Sequence, residues 1–176
     1  MSKPDDNFLS IPDEPFVGER FFTDLIPLSR NADTLKFSNS QNGVIRGRRI
    51  VGGYEDCVDC NRGCANLDVH FDVWEPRGKA AITDKGGSRD NRFSGVIICP
   101  GTECEVDIGN WSDQSEKRTT GTRLNLRMAD GSKVRVRVLN GWVPIFENGV
   151  ENYVVNDAWK GIFIHVWKIL KCFGLG

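Results

Sequence analysis

Cys57-Val58-Asp59-Cys60-Asn61-Arg62-Gly63 sets the reading of this chain, because two later stretches repeat its pattern. They are Ala81-Ile82-Thr83-Asp84-Lys85-Gly86-Gly87 and Glu105-Val106-Asp107-Ile108-Gly109-Asn110-Trp111. Val58, Ile82 and Val106 stand 24 residues apart. Asp59, Thr83 and Asp107 follow them on the opposite strand face, since successive side chains alternate across a strand. Val134-Arg135-Val136-Arg137-Val138-Leu139-Asn140-Gly141 continues the set at a longer spacing. Shorter alternating runs lie between, at Leu67–Val73, Val96–Ile98 and Leu124–Leu126.

A period in the twenties with two short strands per repeat is the signature of a solenoid. One coil cannot bury its inward side chains alone, so coils stack and each roofs the one below. Gly and Asn at matching places suit the corners where the chain turns. The expected fold is all-β: a short right-handed parallel β-helix of about four coils. Val58, Ile82 and Val106 should form one inward stack. A β-sandwich with coincidental spacing is the competing architecture.

Outside the repeat the composition changes. Residues 1–30 read as an extended docking arm, because Pro4, Pro12, Pro15 and Pro27 forbid a long helix. Phe8, Phe16, Phe21, Phe22, Leu25 and Ile26 make it too apolar to stay in water. Residues 31–155 form the β-helix domain. In residues 156–176, Asn156 or Asp157 can cap a helix running to about Phe173, with Gly174 to end it. Trp159, Phe163, Val166 and Leu170 fall on one face of that amphipathic helix.

The chain of 176 residues is the size of one domain, and a net charge of −1 gives no electrostatic reason to bind nucleic acid. Residues 1–10 lack the apolar core of a secretory signal, so synthesis in a cytoplasm is expected, with reduced cysteines. Cys99 and Cys104 are the exception to watch, since four residues including Pro100 and Gly101 could close a tight loop.

Three stretches resemble the coils of pectin-lyase-like right-handed parallel β-helix proteins. They are Gly52-Gly53-Tyr54-Glu55-Asp56-Cys57-Val58-Asp59-Cys60-Asn61-Arg62-Gly63, Lys85-Gly86-Gly87-Ser88 and Asp107-Ile108-Gly109-Asn110-Trp111-Ser112-Asp113. The resemblance covers about residues 35–141 and is one of coil pattern, without a diagnostic catalytic motif. It implies the fold, and it implies a relation to the tailspikes, fibres and other virion proteins of tailed bacteriophages.

Several groups of residues are candidates for chemistry. Cys57, Cys60, Cys64, Cys99 and Cys104 have the ligand chemistry for zinc. In an alternating strand, however, residues three apart face opposite ways, so no metal and no cofactor are expected. Glu55, Asp56, Asp59 and Asp107 could gather on one face as acid and nucleophile for glycoside hydrolysis, or as a calcium site. Thr83 and Arg137 break that set into a polar ladder of Asp59, Thr83, Asp107 and Arg137, which neutralises itself. Asp68, His70 and Asp72 share a strand face opposite Leu67, Val69, Phe71 and Val73, and alternation already explains them. With His165 as the only other histidine, sequence gives a Ser-His-Asp set little support, and no catalytic residue is assigned.

The functional expectation is a non-enzymatic structural protein of a tailed-phage virion, decorating the capsid or belonging to the tail or baseplate. It is made in the host cytoplasm and assembles through its ends. Phe21, Phe22, Trp159, Phe163, Val166, Trp167 and Leu170 are the expected interface residues, contacting further copies (a homo-oligomer, with a trimer in view) and other virion proteins. The alternative is a protein that binds or cleaves carbohydrate, such as a host glycan. Membrane contact by the terminal helix is the weaker third reading.

Overall fold

The computed structural model describes residues 9–10, 18–27, 33–78, 80–99, 101, 103–109, 118–129, 132–138, 145–147 and 149–155. It is an all-β parallel solenoid of about three turns, with no helix among the described residues. One sheet has seven strands: β1 (Leu9–Ser10), β3 (Leu35–Ser38), β5 (Val58–Asn61), β7 (Ile82–Asp84), β9 (Glu103–Ile108), β11 (Lys133–Val138) and β12 (Ile145–Glu147). The other has six: β2 (Gly18–Leu25), β4 (Gly43–Val51), β6 (Asp68–Glu75), β8 (Arg92–Ile97), β10 (Thr122–Met128) and β13 (Gly149–Val155). From β1 to β11 the chain alternates between the sheets, so odd strands stack on odd and even on even, while β12 lies beside β11 and β13 beside β10.

The apolar row predicted from the period is present. Leu35 pairs with Val58, Val58 with Ile82, Ile82 with Val106 and Val106 with Val136, all in parallel register and all buried. A second inward row runs Phe37, Cys60, Asp84, Ile108 and Val138. Corners repeat as well. Asn42, Asn66, Asp90 and Gly121 all take positive φ beside the bridges that link Gln41, Ala65, Arg89 and Thr120. Asn and Asp tolerate that left-handed backbone better than most residues. The Asn66 carboxamide also donates to Asn42 Oδ1 of the coil before, at 3.1 Å.

Four coils were expected, and about three form. The stack ends because β12 and β13 run antiparallel to β11 and β10, closing that end rather than adding a coil. At the opposite end, Gly18–Leu25 of the expected arm forms β2 and pairs in parallel with β4. Leu9–Ser10 pairs with β3. The expected terminal helix lies outside the described residues.

One detail of β6 departs from simple alternation. Asp72 has no partner on β8, where Phe71 opposes Gly95 and Val73 opposes Val96. This bulge turns Asp72 and Val73 both outward, so that Trp74, not Val73, is the fully buried residue. Gly47 makes room for the Phe71 ring, since a Cβ there would lie 2.2 Å from it, and Trp74 meets Phe71 edge-on at 5.3 Å.

Ile82 sits at the middle of the buried row Leu35, Val58, Ile82, Val106 and Val136. Ile82→Ala should therefore cost about 2–5 kcal/mol, as cavities in close-packed cores do. Urea unfolding followed by circular dichroism will measure it, and a loss below about 1 kcal/mol would mean the row is not closely packed.

Candidate functional site

On the outer face of the first sheet, Lys36, Asp59, Thr83, Asp107 and Arg137 stand in one register row, one strand apart. The expected ladder thus exists and gains Lys36. Like charges directly across a strand pair repel, and Thr83 separates the two aspartates. Arg137 grips Asp107 with two hydrogen bonds of 2.8 and 2.7 Å. Asp59 takes Lys36 at 2.9 Å and Lys85 at 3.0 Å. Burial opposes the charge on Lys36, but Asp59 and Asp33 more than offset it and hold the ammonium above its ordinary value. Every charge in the row is answered, so the row is structural.

The carboxylates gather differently from the expected set. Glu55 and Asp56 meet Asp33, with one ligand atom from each within 4.8 Å of the others, while Asp59 and Asp107 belong to the ladder. Within the group the Asp56 amide donates to Asp33 Oδ1.

Cys57, Cys60 and Cys64 are buried thiols. Burial pushes the Cys57 thiol up, with Asp56 and Glu75 adding to it. Burial likewise raises Cys60, whereas a hydrogen bond from Cys60 lowers Cys64. Cys99 and Cys104, the pair expected as the exception among reduced cysteines, form a disulfide with Cα atoms 6.0 Å apart. The turn from β8 into β9 brings them within the span that a disulfide bridges.

The outer face of the second sheet is different. Arg92 lies between Asp68 and Arg123 in one register row. Asp68 is already bound by Arg46 at 2.7 Å, and among the described residues neither Arg92 nor Arg123 makes an ion pair. Both are exposed, and with Asp68, Ser94, Asn125 and Val154 they line a shallow cavity. Next to it, His70 pairs in register with Ser94 of β8, and Ser94 with Asn125 of β10. His70 Nδ1 lies 2.9 Å from Ser94 Oγ, and His70 Nε2 lies 3.2 Å from Asp72 Oδ1. Alternation alone placed Asp68, His70 and Asp72 on this face but did not show that Ser94 joins them. The signal was the coil period: Ser94 follows His70 by 24 residues.

Of the expected interface residues, Phe21 is 73% exposed and Phe22 is partly buried against the core. Trp159, Phe163, Val166, Trp167 and Leu170 lie outside the described residues. No protein-family model, curated protein or solved structure matches the chain.

The ladder yields a contrast in stability. Arg137→Met leaves Asp107 buried without its bidentate partner and should cost about 1–3 kcal/mol. Arg48→Met removes an exposed pair with Asp24 and should cost less than about 1 kcal/mol. Urea titration of both variants checks the order, and equal costs would show that the ladder does not hold the sheet.

Proposed function

We propose that the chain is a structural module that joins a larger assembly through the first-coil end of its solenoid and through its terminal segments. The observation that carries this is Phe21. It lies on β2, the last strand of its sheet among the described residues, and it is the most exposed large apolar side chain there. The first four residues of β2 are all exposed. Solenoid ends without a cap invite pairing with other chains, and among the described residues the antiparallel strands β12 and β13 lie at the other end. The resemblance of the coils to pectin-lyase-like β-helices supports a place in a tailed-phage virion, on the capsid or in the tail or baseplate. The partners are then further copies of the chain and other virion proteins.

A second reading, contact with a glycan, is favoured by Arg92 and Arg123. Two adjacent guanidinium groups that make no ion pair among the described residues suit a carboxylate or sulfate on an acidic polysaccharide.

Light scattering of the full chain should show an oligomer that Phe21→Asp dissociates, weakening association about 10- to 100-fold for the loss of one buried aromatic side chain. A chain that is monomeric at every concentration and does not co-purify with particles would sink the assembly reading. For the second reading, retention on immobilised heparin should fall in Arg92→Ala and Arg123→Ala, and equal retention would dismiss it.

A further inference from the structure

We propose that Ser94, His70 and Asp72 form a hydrolytic site for short-chain acyl esters on the outer face of the second sheet. This goes beyond the assembly reading and does not depend on it. The argument begins with proton placement. An ionised Asp72 carboxylate only accepts hydrogen bonds, so the His70 nitrogen facing it, Nε2, must carry the proton. That tautomer leaves Nδ1 as an acceptor, and Ser94 Oγ, 2.9 Å away, donates to it. A hydroxyl facing a ring nitrogen whose other side is held by a carboxylate is the arrangement that activates a serine nucleophile.

The fold holds each member in place. His70 and Ser94 occupy adjacent strands in register. Alternation along β6 puts Asp72 on the same face as His70, within reach of the same ring. The Trp74 indole donates to the Ser94 carbonyl at 2.9 Å and pins the backbone behind the nucleophile. All three side chains open into one cavity of about 510 Å³, also lined by Gly95, Val96, Asn125 and Arg127. Asn125 is the cross-strand neighbour of Ser94. Its carboxamide is a donor that this cavity offers to a developing oxyanion. The cavity is shallow and Val96 is its one aliphatic side chain, which suits a short acyl group.

The chemistry balances without a cofactor. Ser94 Oγ attacks the ester carbonyl as its proton passes to His70 Nδ1. The tetrahedral intermediate collapses, its C–O bond breaks, and the leaving alcohol takes the proton from Nδ1. Water then attacks the acyl-serine, with His70 first accepting and then returning a proton. The products are one alcohol and one carboxylic acid, and Ser94 is regenerated.

The full-length protein tests this with two probes. A fluorophosphonate should label one serine per chain, located at Ser94 by peptide mass spectrometry. p-Nitrophenyl acetate should be hydrolysed with an initial burst. Ser94→Ala and His70→Gln should each lower kcat by at least about 100-fold, and Asp72→Asn by about 10-fold or more. Ser94→Ala removes a single outer-face hydroxyl, and an unchanged circular dichroism spectrum will show that the sheet persists. Hydrolysis that survives Ser94→Ala would be that of a bare imidazole and would overturn the proposal. So would the absence of label at Ser94.

Discussion

Everything in this molecule depends on in-register parallel stacking. Neighbouring strands lie about 4.8 Å apart, so a residue's closest side-chain neighbours stand one coil away, about 24 positions along the chain. That rule rewards apolar rows and tests charged ones. Leu35, Val58, Ile82, Val106 and Val136 need only similar size to fill a continuous core. Lys36, Asp59, Thr83, Asp107 and Arg137 must instead arrange their signs, because each charge meets the next directly. Cations at the two ends and a neutral hydroxyl between the aspartates satisfy that demand.

The interior shows the same rule under stricter conditions. Asp84 occupies an inward row between Cys60 and Ile108 and is fully buried. A buried carboxyl is costly unless hydrogen bonds replace its water. The Asn91 carboxamide donates to one oxygen at 3.0 Å and the Thr122 hydroxyl to the other at 2.6 Å. Both donors come from the corner that leads into the second sheet, so this polar cluster ties the two sheets together across the core. A cluster that needs every partner in place favours one arrangement of coils over a slipped one.

What was legible in the sequence followed from that periodicity. Equal spacing of Val58, Ile82 and Val106 was enough for the inward stack, and Asp59, Thr83 and Asp107 followed from alternation. Local irregularity was not legible. Residues Leu67–Val73 alternate perfectly as a sequence, yet the bulge at Asp72 shifts the inward position to Trp74. Nothing within β6 signals this, because the cause is β8, one residue shorter across the same span. The Ser94–His70 contact was hidden for a related reason, since it crosses two strands and alternation is read along one. The end of the stack was not legible either, because the antiparallel strands β12 and β13 that close it carry no periodic mark.

The two outer faces of the solenoid then differ in a way that stacking makes meaningful. On the first sheet each charge in the ladder has an opposite partner, and Arg135 is similarly placed against Glu103 and Glu105. On the second sheet Arg46 takes Asp68, and Arg92 and Arg123 are left side by side. Like charges held one strand apart lower stability, and the neighbouring rows show that this fold readily places opposite charges in register. The same face holds His70, Ser94 and Asn125 in a single row, with hydroxyl, imidazole and carboxamide turned to solvent where a purely mechanical surface would need none of them. Among the described residues, departures from self-neutralisation therefore fall on the outer face of the second sheet, beside the cavities lined by His70, Ser94 and Arg92.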